Sequence, residues 1–170
     1  MLDRPHRLVQ WWAMTWLIDP RIVVQDRGKV HRLALAALEE ETGPLPADYR
    51  EFVRRKNGME LSKNALVSLA TAEGSKPWPL RRFYGIKDDM KAAGVHLQMW
   101  LWQQFFPAGS IPVGEDGEGN TFVMGLHGSC RGKIYFFSGE DSPNDFLFYL
   151  PKVADSFAHF LTSLHHSSRA

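Results

Sequence analysis

The sequence predicts an α+β fold, an antiparallel sheet of about five or six strands with helices packed against it. Three observations lead there. Helix-period patterns come first, a run of strand-like segments with short connections follows, and one helix-period pattern closes the chain. Short connections favour antiparallel pairing, because parallel strands need a long crossover. Between 121 and 126, Phe122, Met124 and Leu126 alternate with Thr121, Val123 and Gly125, which puts the large residues on one face. Near the end, Val153, Phe157, Phe160, Leu161 and Leu164 make a helical stripe that needs a flat apolar surface, and a half-buried sheet offers one.

Taken in order, the first helix is expected from about Asp26 to Thr42. Val30, Leu33, Ala34, Ala37, Leu38 and Glu41 share its stripe, Asp26 can cap its start, and Gly43-Pro44 ends it. A second, short helix has Pro46 in its first turn, Tyr49, Phe52 and Val53 on its buried face, and Asn57-Gly58 at its end. Ala65 to Ala70 is a possible strand, Gly74 to Pro79 a loop, and Leu80 to Ile86 a strand around Phe83-Tyr84. Asp88 could cap a helix through Gln104, with Gly94 weakening it. Ile111 to Val113 and Thr121 to Leu126 then flank a Gly/Asp/Asn-rich stretch that reads as a hairpin turn. Gly128 to Gly132 is a second turn, Lys133 to Phe137 a strand, and Phe146 to Leu150 one more short strand. The last helix is expected to start near Pro151.

Bulk properties narrow the function classes. A chain of 170 residues with 44% hydrophobic and 23% charged residues is globular and needs no staple. Division into a Trp-rich segment (1–25), one domain (26–165) and a tail (166–170) is expected. The balance of 20 basic against 19 acidic residues gives no broad cationic field, so direct nucleic-acid binding is not expected. The single cysteine, Cys130, excludes an internal disulfide and fits a reducing, cytoplasmic setting. The apolar run Leu8 to Ile18 follows Arg4 and Arg7, as in a signal peptide, but Asp19, Pro20 and Arg21 follow it. At about 11 residues it is shorter than the ~20 a membrane helix needs, so no membrane insertion is expected.

The same segments carry a resemblance. Leu45-Pro46-x-Asp48-Tyr49-x-x-Phe52-Val53 with Asn57-Gly58, Phe83-Tyr84-Gly85-Ile86, Ile111-Pro112-Val113 with the turn Gly114 to Asn120, Gly132 to Phe136, and Val153 to Leu161 resemble, in order, the motifs of the SUKH superfamily. That superfamily includes the Smi/Knr-type cell-wall assembly regulators of fungi. The match runs from about Val30 to Leu164; the Trp-rich start and a long helix between Asp88 and Gln104 depart from the pattern. The resemblance implies a non-catalytic binding domain. Its bacterial relatives are implied to be immunity proteins that bind and block toxins, often nucleases or deaminases, and its fungal relatives to be regulatory scaffolds. Fold analogy limits the class of function and does not name the partner.

The residues themselves offer few chemical centres, so no catalytic residue, metal or cofactor is expected. Gly128-Ser129-Cys130-Arg131-Gly132 fits a nucleophile elbow and would make a small cysteine hydrolase, but an elbow needs a helix after it, and a strand is expected there. Asp116-x-Glu118-x-Asn120 spaces oxygen ligands like a calcium loop, yet Thr121 stands where the loop needs glycine. Asp155, His159 and His166 fall on the last helix with His165 adjacent; Asp155 and His159 share a face at a metal-binding spacing, but no third ligand is supplied, and a solvated helix face with a loose tail is expected. For partner binding, two acidic groups are candidates: Glu115, Asp116 and Glu118, then Glu140, Asp141 and Asp145. They would attract a basic toxin such as a nuclease, or be ordinary solvated loop charge. Trp11, Trp12 and Trp16 are interface anchors or dock on the chain's own domain, and a homodimer burying them would satisfy both.

Overall fold

The computed structural model describes residues 18–86, 107–138 and 149–168. Its first element is a 3-10 turn, Pro20–Ile22, capped by the Asp19 carboxylate, which accepts from the Arg21 N–H at 2.9 Å. Strand β1 (Val23–Asp26) follows, where the sequence suggests only a helix start. Asp26 is therefore not a helix cap. It accepts from the Gly28 N–H at 2.9 Å and pairs with Lys56. Helix α1 (Arg32–Thr42) begins later, with His31 Nδ1 accepting from the Leu33 N–H at 3.3 Å. Its buried face is Leu35, Leu38 and Thr42, while Leu33 and Ala37 are exposed, so the stripe differs from the expected one. The helix is apolar around much of its first two turns, and periodicity alone cannot choose a face there.

Helix α2 (Ala47–Arg55) buries Tyr49, Phe52 and Val53 as the spacing predicts, with Pro46 at the N-cap rather than inside the first turn. Gly58 then turns the chain at φ +85°. A Cβ there would lie 2.8 Å from the Gly85 backbone nitrogen, so glycine is required twice over. The remaining elements are β2 (Met59–Leu61), β3 (Ala65–Thr71), β4 (Gly74–Pro79), β5 (Arg82–Phe83), β6 (Ser110–Glu115), β7 (Thr121–Gly125), β8 (Ile134–Phe137), β9 (Lys152–Ala154), helix α3 (Phe157–Ser163) and β10 (His165–His166).

The described strands form two antiparallel sheets, one of seven strands in the order β1-β2-β5-β6-β7-β8-β9 and one of three in the order β10-β3-β4. The α+β class holds; the sheet content exceeds the five or six strands expected. Gly74–Pro79 is a strand despite its prolines because it is an edge. Leu80 donates its N–H to the Ala65 carbonyl at 3.1 Å, so by alternation Pro77 and Pro79 face away from β3 and lose no ladder bond. Val153 lies in β9, and α3 starts at Phe157 under a Ser156 cap rather than near Pro151. Only Arg82–Phe83 of the expected 80–86 strand pairs as a named strand. The helix expected from Asp88 through Gln104 and residues 146–148 of the expected strand lie outside the described residues; Tyr149 and Leu150 are not in a strand.

Register divides the large sheet into two faces. Met59, Phe83, Gly114, Phe122 and Phe136 stand in one row facing α2, α3 and the small sheet. Their aromatic rings interlock with those of the helices, Phe83–Phe52 at 5.2 Å and Phe122–Phe160 at 5.2 Å between centroids, and the two helices meet through Phe52–Phe157 at 4.9 Å. Phe52–Phe83 is edge-on and the other two are tilted; aromatic pairs at such distances add about 0.5–1.5 kcal/mol each beyond burial. Asp48 ties the two helices, its Oδ2 accepting from the Ala158 N–H at the start of α3 at 3.0 Å. On the opposite face, Val123, Tyr135, Phe137 and Leu150 form a second buried cluster. The central strands are thus buried on both sides, beyond the one-sided pattern that the 121–126 alternation predicts.

Candidate functional site

The outward row of the large sheet is polar where the inward row is aromatic. Pairing sets Gln25, Glu60, Arg82 and Glu115 side by side on adjacent strands, with Arg27 just beyond β1. Charges alternate along it: Arg27 Nη2 to Glu60 at 3.1 Å, Arg82 Nη2 to Glu60 at 3.5 Å, and Arg82 Nη1 to Glu115 at 3.2 Å. All four side chains are about a quarter to a third exposed, which keeps each pair modest, about 0.2–1 kcal/mol. Tyr84 closes the row by donating its hydroxyl to Glu115 Oε2 at 2.8 Å. Burial, then the Glu115 charge, pushes its phenol well above the usual range.

The row runs into the β6–β7 turn, and here Asp116 is the organising residue. Its Oδ1 accepts from the N–H groups of Glu118 (2.7 Å) and Asn120 (3.1 Å); its Oδ2 accepts from Asn120 Nδ2 (2.5 Å) and Trp78 Nε1 (3.0 Å). Gly117 and Gly119 supply the positive φ angles the turn needs. Trp78 packs edge-on against Phe136 at 5.1 Å, so the Asp116–Trp78 bond ties the turn to the small sheet.

The three acids of this turn therefore differ. Asp116, expected as a surface charge, is 1% exposed and fully occupied by its own turn. That occupancy also removes it as a calcium ligand. Glu115 is shared by Arg82 and Tyr84. Glu118 is exposed. Glu140, Asp141, Asp145, Trp11, Trp12 and Trp16 lie outside the described residues. Sequence reasoning missed Glu60, Arg82, Tyr84 and Trp78. Trp78 carried a signal, an aromatic flanked by two prolines, whereas a charge in a two-residue strand carries almost none.

The other chemical candidates come apart. Cys130 sits in a 3-10 turn, Gly128–Cys130, followed by β8, so no helix start activates it. Asp155 precedes α3 and pairs with Lys152 at 2.6 Å, so it does not share a helix face with exposed His159. His165 and His166 are not a loose tail; they pair with Leu66 and Ala65. Among the described residues no group of three or more His, Cys, Asp or Glu is placed to hold a metal. No described helix is long and apolar enough to cross a membrane.

Fold and surface together define an α+β domain whose antiparallel sheet packs its helices on an aromatic face and turns an alternating charge row outward. The chain matches the model of the SMI1 / KNR4 family (SUKH-1) over residues 29–163, and it belongs to that family. No curated protein matches it. The family match spans the motifs that carry the sequence resemblance, and the aspartate of the Leu-Pro-x-Asp-Tyr motif has a structural task here, capping α3 from α2.

Proposed function

We propose that this SUKH-1 domain is a non-catalytic immunity protein that binds and neutralises a cognate bacterial toxin domain. The observation that carries the reading is family membership over most of the chain, joined to a rigid, preorganised turn that offers Glu118. A turn held by four hydrogen bonds to one buried carboxylate loses little freedom on binding, which favours affinity. Its partly available acids, Glu115 and Glu118, suit a basic partner face such as that of a nuclease, and complementary charge speeds encounter and fixes register. Glu140, Asp141, Asp145 and the tryptophans Trp11, Trp12 and Trp16 are proposed to extend this contact.

The test is neutralisation. The full chain, mixed with the toxin domain encoded beside it, is expected to form a stoichiometric complex and abolish the toxin's activity. Failure to bind or inhibit any co-encoded toxin sinks the reading, and an isolated gene with no such neighbour favours a regulatory scaffold instead.

A further inference from the structure

A second charged region lies at the other end of the strands from the β6–β7 turn. The segment between β1 and α1 runs beside the C-terminal end of α2. The Asn57 N–H donates to the Gly28 carbonyl, the Arg27 N–H donates to the Gly58 carbonyl at 3.3 Å, and Lys56 pairs with Asp26. This junction gathers Arg27, Lys29, Arg32, Arg54, Arg55 and Lys56 against the acids Asp26, Glu51 and Glu60, an excess of positive charge.

Part of that charge has an ordinary cause. Arg54 and Arg55 end α2, where cations complement the helix dipole, and Glu51 holds both at 2.8 and 2.5 Å. Lys29 and Arg32 have no such cause. Arg32 is the first residue of α1 and Lys29 lies two residues before its His31 cap, both on the positive side of the dipole, where a cation is disfavoured. The helix has no acid in its first turn and no base in its last, and Glu39, Glu40 and Glu41 sit near its far end. Its charges oppose its own dipole. Among the described residues neither Lys29 nor Arg32 has an ion-pair partner. A local choice that works against the fold marks a position kept for another purpose.

The same stretch carries apolar anchors. Of the large hydrophobic side chains that stand exposed among the described residues, Val24 (66%) and Leu33 (67%) flank Lys29 and Arg32 in the chain. Apolar contacts within a charged surround are the composition of a protein interface.

We propose that the β1–α1 junction and the C-terminal end of α2 form a docking surface for an acidic, partly apolar protein segment, with Lys29 and Arg32 pairing its carboxylates and Val24 and Leu33 meeting its apolar side chains. A protein partner is favoured over nucleic acid because the near-neutral chain supplies no broad field and the exposed Val24 and Leu33 call for apolar side chains that a phosphate backbone lacks. The proposal holds whether or not the toxin reading does.

The test is fluorescence anisotropy of the full chain with three dye-labelled probes: a peptide of Glu and Leu, its Gln and Leu counterpart, and a single-stranded oligonucleotide. The acidic peptide is expected to bind, and the Gln peptide to bind at least about tenfold more weakly. The double variant Lys29→Glu/Arg32→Glu is expected to lose at least about tenfold in affinity while its Tm rises by about 1–3 °C, because the reversal now agrees with the dipole. A merely structural role would move binding and Tm down together, which overturns the proposal. So would equal binding of the two peptides, unchanged affinity in the variant, or tighter binding of the oligonucleotide. Should the double reversal not fold, Lys29→Gln/Arg32→Gln replaces it, and retained affinity there also overturns the proposal.

Discussion

The two charged ends of the molecule handle their charge in opposite ways. At the β6–β7 turn two of the three acids are occupied by the fold, Asp116 buried under four donors and Glu115 shared by Arg82 and Tyr84, while Glu118 stands exposed. At the β1–α1 junction the cations are turned outward, and Lys29 and Arg32 meet no acid among the described residues. A patch that looks acidic in the sequence is therefore largely scaffold, and a junction without a motif holds the more available charge. Burial and pairing decide which charges a partner meets, and residue counts do not.

The sharpest way to break this contrast is to remove the buried carboxylate. Asp116→Ala strands two backbone N–H groups, the Asn120 amide and the Trp78 indole at once. Hydrogen bonds to a charged acceptor are each worth about 1.5–3 kcal/mol and are not additive, so a net loss of about 2–4 kcal/mol is expected in urea unfolding. A loss below about 1 kcal/mol would mean that Asp116 is a surface charge after all. Next in size is Asp48→Ala, which removes the side-chain acceptor at the start of α3. It should cost about 1–2 kcal/mol in the same measurement, as lost N-caps do. A value near zero would show that the Ser156 cap alone is sufficient to hold α3.

How much of this was legible depended on whether the signal was local. Helix α2 could be seen because Tyr49, Phe52 and Val53 fall on one face between Pro46 and Asn57-Gly58. Strands β6, β7 and β8 could be seen because short apolar runs, alternating in β7, lie around glycine-rich turns. Strands β1, β9 and β10 are two to four residues long, and segments of that length pair only because tertiary neighbours hold them. The burial of Asp116 was not legible, because its indole partner is 38 residues away and an aspartate among glycines reads as solvated. The reversed charge of α1 was present in the sequence but became visible only when the helix start moved from Asp26 to Arg32.

A smaller effect tests the basic end by pH. The Arg54 hydrogen bond, then that of Arg55, holds the Glu51 carboxyl down to about 2 against its ordinary 4.5. A depressed folded value means that stability from this group is present above about pH 4.5 and is lost as pH falls towards 2. Solvent around the half-exposed Arg54 keeps the effect small. Glu51→Gln should flatten the acid limb of a Tm-against-pH curve and leave the neutral limb almost parallel to wild type; an unchanged acid limb would mean that the pairs contribute nothing.

The smallest expected effect separates the two ends most cleanly. Glu118→Gln removes an exposed charge whose side chain meets no partner among the described residues, so stability should stay within about 0.5 kcal/mol of wild type. The backbone N–H of Glu118, which Asp116 needs, is untouched by the change. Any loss of affinity for the proposed toxin partner in this variant is therefore a loss of contact and not of fold, and it should leave binding of the acidic peptide at the other end unaltered. If the substitution weakens that peptide as well, the acidic turn and the basic junction are one coupled surface, and the contrast between scaffold charge and available charge fails.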